Sequence, residues 1–299
     1  MLAKPLPPSL AGRAFRTARA LKLGVTRGRL GARDLMAPFR GVRAPAGATS
    51  LIDLCRAYAQ RMPRRHAFSH ATAAHLWGLP LPDQELLPLH VSAPAPLRQP
   101  RAKGVAGHRL GHDVPVVRRR GLPVVTAADA WCQLATILSH DDLVAAGDRI
   151  VGWPRPIGTL DEIDAAIERF GSRRGAVRLR AARLDLRAGS ASRRETRLRL
   201  RVLRAGFPEP ELNTRIGLAG SRSTHGDLVF RAYRVLLEYD GEQHRGDDAQ
   251  FHRDVERLND LAAAGWIVIR VGRRLPLERA LDQLELALRS RGWRGIRSP

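Results

Sequence analysis

The run VLLEY at residues 235–239 sets an ionisable side chain, Glu238, inside an otherwise apolar strand, and no other feature constrains the chain as strongly. A carboxylate among buried strand residues is costly unless it is paired or bound to a cation. Side chains alternate along a strand, so Glu238 and Asp240 share one face and Tyr239 takes the other. The preceding GDLVF opens a second strand at Asp227, and a hairpin around Arg231–Tyr233 would bring Asp227 beside that pair. Clustered carboxylates repel one another unless a divalent cation neutralises them. Oxygen-only donors suit Mg²⁺ or Mn²⁺, and such an ion activates water for phosphodiester hydrolysis. Asp227, Glu238 and Asp240 are therefore the candidate metal ligands, with Asp240 equally readable as a turn residue before Gly241. His244, in DGEQHR, sits where an imidazole can move protons.

The surrounding elements read α-β-β-β-α-β-α. Ser192 caps a helix with Glu195 three residues on, the capping-box position, and ELNTRIGL is a strand. After the two carboxylate-bearing strands come a helix over 247–264, a buried strand from Trp266 to Val271 and a last helix over 275–291. Arg253 and Arg257 lie one turn apart on the first of these helices. They are read either as phosphate contacts or as a solvated face.

Net charge brings in the partner. The chain carries +22, with 48 arginines among its 51 basic residues. Codon bias explains arginine in place of lysine, but not an excess of base over acid. The excess is uneven: residues 1–120 hold 21 basic against 5 acidic residues, 121–190 hold 9 against 9, and 191–299 hold 21 against 15. A polyanion is the expected partner, DNA first, though charge does not separate DNA from RNA.

The front of the chain reads as helices over 11–23 and 26–33, followed by a strand-like FRGVRAP. These are the ingredients of a small winged helix, whose second helix would enter a major groove. Arg27, Arg29, Arg33, Arg40 and Arg43 would then face phosphate; the other reading is a basic, loosely ordered arm. A middle α+β segment follows, with strands at LHVSAP and within 114–125. His70 and His75 sit five apart and do not share a helix face, so capping and packing roles are expected. Cys55 and Cys132 lie in apolar helical contexts and read as buried thiols. The expected spans are a basic segment over 1–48, a middle domain over 49–155, a helical linker over 156–190 and a last domain over 191–299. No run is long and apolar enough for a membrane helix and the start lacks a secretory h-region, so a cytoplasmic location is expected.

The series GDLVF…VLLEYDGEQHR…HRDVERLNDLAAAGWIVIRV resembles the very-short-patch-repair (Vsr-like) branch of the PD-(D/E)XK nuclease superfamily. More closely, it resembles a related bacterial domain of unknown function common in actinobacterial proteins. The resemblance covers about 192–297 and implies a restriction-endonuclease-like αβββαβ core. It implies Asp227 and Glu238 as metal-binding acids, Glu195 as the assisting helix acid and His244 as the conserved histidine. The superfamily's lysine position is Asp240 here, and no lysine follows Lys103; the Vsr-like branch also dispenses with that lysine. More loosely, GVTRGRLGARDLMAPFRGVRAP with SHATAAHLWGLPLP resembles proteins related to abortive-infection type IV antitoxins, in which a winged helix is fused to an α/β domain. The expectation is a Mg²⁺- or Mn²⁺-dependent DNA endonuclease with a basic N-terminal reader. Its rival is a non-catalytic, antitoxin-like regulator whose nuclease fold has degenerated.

Overall fold

The computed structural model describes residues 4–82, 88–239, 248–272 and 275–298, with backbone alone at 248–251. The protein is a mixed α/β chain with three sheets and, among the described residues, eleven α-helices. It divides into two compact units, one of residues 1–137 and 161–176 and the other of 138–160 and 177–299. These units do not follow the four expected spans. Segments 1–48 and 49–137 belong to one unit, and the span read as a helical linker contributes to both.

In the first unit, β1 (Phe15–Arg16), α1 (Thr17–Lys22), α2 (Arg27–Leu30), β2 (Leu35–Met36) and β3 (Val42–Pro45) form a small antiparallel sheet, order β1-β3-β2, with two short helices. Leu10, Phe15, Ala20, Val25 and Leu30 make its core. Thr26 caps α2, its Oγ1 accepting from the Arg29 amide at 3.2 Å. Both helices are shorter than expected. Residues 15–16 pair with β3 instead of joining α1, and α2 stops at Gly31.

Next come α3 (Leu51–Ala59), β4 (Ala67–Phe68), α4 (His70–Trp77), β5 (Leu89–Pro94), β6 (Val105–Leu110), β7 (Val116–Arg119), β8 (Leu122–Val125) and α5 (Ala127–Gln133). Their strands form a five-stranded sheet, order β6-β5-β4-β8-β7, over a core that includes Tyr58, Phe68, Leu76, Val91 and Val124. Cys55 and Cys132 are buried free thiols, and burial pushes the Cys55 thiol up to about 12.

The second unit holds α6 (His140–Val151), α9 (Arg193–Arg204), β9 (Glu211–Gly217), β10 (Ser223–Phe230), β11 (Val235–Tyr239), α10 (Asp248–Ala263), β12 (Ile267–Val271) and α11 (Leu277–Ser290). Of the helices in the span read as a linker, α7 (Leu160–Phe170) belongs to the first unit and α8 (Ala176–Asp185) to the second, each but for its first residue. From α9 onward the order is the expected α-β-β-β-α-β-α. The sheet runs β12-β11-β10-β9, antiparallel except for the parallel β11–β12 pair. Leu198, Val202, Phe230, Leu237, Ile269 and Leu284 pack on one side of the strands, and Ile216, Val229, Leu236 and Leu261 form a second cluster.

Helix α9 is fastened to α6 by charge. Asp148 and Arg199 form an ion pair at 2.9 Å with side chains 1% and 0% exposed. The Thr196 hydroxyl and the Arg187 amide also donate to Asp148, each at 2.8 Å. Burial nevertheless holds the Asp148 carboxyl above its ordinary range, outweighing Arg199. Arg193 binds Asp142 and Arg204 binds Asp141 along the same seam. Among the described residues, no helix is long and apolar enough to cross a membrane.

Candidate active site

Asp227 stands where strand pairing is interrupted. Strand β10 pairs with β11 over 228–230, and its pairing with β9 skips from Gly226↔Thr214 to Leu228↔Leu212. The passed-over residue on β9, Asn213, has a left-handed φ of 43°. At this break the Asp227 side chain does what a ladder carbonyl would have done: Oδ2 accepts the Tyr239 amide at 2.9 Å. Gly226 is required beside it. A Cβ there would come within 2.3 Å of Leu236 Cδ1 and 2.9 Å of Val229 Cγ2. Strand β10 therefore starts earlier than expected, at Ser223, and not after a polar turn ending at 226.

Burial pushes the Asp227 carboxyl up to about 6, and the charges of Glu195 and Glu238 push in the same direction. Glu238 is 8% exposed and is met by Arg257, which contacts both carboxylate oxygens, one of them at 3.0 Å. Arg257 also donates to Thr224 Oγ1 at 2.7 Å and to the His225 carbonyl at 2.9 Å. It is held in place rather than standing on a solvated face. Arg253 is exposed.

Glu195 completes the capping box in an altered form. Its amide donates to Ser192 Oγ at 3.2 Å, while its carboxylate accepts from Ser192 Oγ, the Ala191 amide and Asn213 Nδ2. Through Asn213 it reaches the residue opposite Asp227. Among the described residues, Glu195, Asp227 and Glu238 do not bring three ligand oxygens within 4.8 Å of one another. Asp240 and His244 lie outside the described residues.

Beside this cluster, Arg193, Arg194, Arg197, Arg201 and Tyr239 line a concavity of ≈ 530 Å³. The Arg194 guanidinium sits 5.2 Å from the Tyr239 ring centroid. His225, next to Gly226, stacks on Trp153 at 5.4 Å between centroids; the 221–226 segment read as a turn concealed it.

The N-terminal arginines divide. Arg27, Arg33 and Arg40 are exposed. Arg29 forks onto Asp34 with contacts of 2.9 and 2.7 Å, and Arg43 donates to the Leu30 carbonyl at 2.7 Å. Those two guanidiniums hold the small domain together.

One cluster escaped the sequence reading. His75 is exposed, but His70 meets His90 and His108, which come from β5 and β6. None of these partners lies within the helix of His70: α4, β5 and β6 come together across 18 to 38 residues of chain.

No protein-family model matches the sequence, and no curated protein matches it. Among solved structures, the crystal structure of the RV2827C protein from Mycobacterium tuberculosis is similar to it at 18% identity and a TM-score of 0.36. The match covers 62% of this chain and 84% of that one.

Proposed function

We propose that residues 191–299 carry a metal-dependent nuclease site of the PD-(D/E)XK, Vsr-like kind, which hydrolyses DNA phosphodiesters. On this reading the basic N-terminal segment is a winged-helix-like DNA reader and the protein works in the cytoplasm. The observation that carries the proposal is Asp227 at the break in the ladder, its carboxyl pushed up to about 6 by burial first and by the charges of Glu195 and Glu238 second. Such a site calls for positive charge, and its donors are hard oxygens, which fit Mg²⁺ or Mn²⁺.

Asp227 and Glu238 would hold the ion, with Asp240 as a further donor. When bound, a dication polarises a phosphate oxygen and lowers the pKa of water. Glu195, fixed by Ser192 and Asn213, orients the attacking water. His244 transfers the proton. Arg257 supplies the cationic side chain that the superfamily takes from lysine, and the arginines around Tyr239 offer a path for the phosphate backbone.

A second reading, a non-catalytic antitoxin-like DNA-binding regulator, is favoured by one fact: Arg257 already neutralises Glu238. Incubation with duplex, single-stranded and mismatched DNA, and with RNA, separates the two readings. The nuclease predicts nicking in Mg²⁺ or Mn²⁺ that EDTA stops. It also predicts that Asp227→Ala lowers cleavage by at least about 100-fold, on the scale of losing one electrostatic catalytic element, while binding persists. A salt-sensitive gel shift with no cleavage by the wild-type chain would select the regulator.

A further inference from the structure

We propose that His70, His90 and His108 form a binding site for a borderline-soft transition-metal dication, Zn²⁺ by preference, inside the first unit and separate from the carboxylate cluster. Among the described residues, this is the group of three whose ligand atoms all lie within 4.8 Å of one another. Three elements deliver it. His90 on β5 and His108 on β6 stand near one another because the parallel register pairs His90 with Ala106 and Ser92 with His108. His70 opens α4 beside them. The His70 ring stacks on His108 at 3.8 Å between centroids and 24° between planes, and the nearly parallel His90 and His108 rings lie 5.1 Å apart.

The nitrogens face one another. His90 Nδ1 is 2.9 Å from His108 Nε2. Two imidazoles on one tetrahedral zinc, each bonded at about 2.0–2.1 Å, hold their nitrogens about 3.3 Å apart, so insertion of an ion needs the proton of this hydrogen bond to shift to the other nitrogen of its ring, the pair to open by a few tenths of an ångström and the rings to turn their lone pairs onto it. His70 Nδ1 sits 3.0 Å from Ser69 Oγ, which also accepts from Ser92 Oγ at 2.8 Å. With Nδ1–H donated to that serine, Nε2 is left as the ligating lone pair, the usual way a neighbour fixes the tautomer of a metal-bound histidine.

The backbone is committed as well. His70 has a φ of 49°, in the left-handed region that a non-glycine residue enters at a cost. Its amide is held by Gln133 Oε1 at 2.7 Å.

Three imidazoles leave a fourth position. His70 lines a cavity of ≈ 370 Å³ together with Arg109, Arg173 and Arg174, so water or a small anion completes the set. Cys132 also lines this cavity.

The test uses the full chain freed of any affinity-tag histidines and stripped with chelator. Zn²⁺ titrated against a chromophoric chelator is expected to bind at one equivalent per chain, undisturbed by excess Mg²⁺. Co²⁺ in its place is expected to give the intense visible bands of a four- or five-coordinate ion. His108→Gln and His90→Ala should each weaken binding by more than about 100-fold, beyond the loss typical of an outer-shell partner, and the exposed His75→Ala should leave it unchanged. No binding by the folded wild type, or equal binding by the His108 and His90 variants, overturns the site. If those variants do not fold, X-ray absorption on the Co²⁺-loaded wild type decides: three imidazole nitrogens support the site, and fewer overturn it.

Discussion

Asp227 keeps its proton to a higher pH in the folded chain than a solvated aspartate does, since its carboxyl rises from 3.8 to about 6. Below about pH 4 the group is protonated folded or unfolded and costs nothing. Above about pH 6 the native state must hold it ionised, at a cost on the order of 3 kcal/mol that is then fully present. Asp227→Asn is therefore expected to gain stability over wild type at pH 8, with the gain vanishing toward pH 4, as read by urea unfolding at both pH values. Mg²⁺ should stabilise the wild type at pH 8 and not the variant; equal stabilisation of both would remove Asp227 from the ligand set. Asp148 makes the opposite case. Its removal leaves Arg199 buried, with Nε and Nη1 already lacking partners. Asp148→Ala should cost about 3–5 kcal/mol in the same experiment, and a loss under 1 kcal/mol would contradict the burial argument.

At the scale of elements, the proposed DNA reader gives the arginines of residues 1–48 separable duties. Replacing Arg27, Arg33 and Arg40 together by Ala should weaken DNA binding without changing the melting temperature, and each lost phosphate contact should reduce the salt slope by about 1. Arg29→Ala and Arg43→Ala should instead lower the melting temperature, because these side chains bond Asp34 and the Leu30 carbonyl. An unchanged salt slope in the triple variant would remove these three arginines from the proposed interface. The α-β-β-β-α-β-α series was legible because each of its elements carries its own signal: Ser192 before α9, Gly265 after α10, and apolar runs in VLLEY and IVIRV. Less legible were the two-residue strands β1 and β4, whose pairing is decided by distant partners, and β6, whose VAGHRL lacks a clear alternation. The carboxylate pair could be read from cost alone, since Glu238 had to be compensated. That Arg257 compensates it, and that three histidines converge elsewhere, depended on contacts with no local trace.

For the whole molecule, the net charge of +22 fits the proposed polyanionic partner, while the covalent path sets limits on cutting the chain apart. Residues 138–160 precede 161–176 in sequence yet belong to the same compact unit as 177–299. The fragment 191–299, drawn along the line the sequence suggested, would expose the α9 surface that Asp141, Asp142 and Asp148 cover. It is expected to express as an aggregating or unfolded chain, while 138–299 should show a cooperative thermal transition; a stable, cooperative 191–299 would show that α6 is dispensable. That interleaving also bears on inheritance. A recombination event that exchanged only the codons for 191–299 would part the buried Arg199 guanidinium from the Asp148 it was matched to, so the α6 segment and the C-terminal segment are expected to travel as one hereditary block.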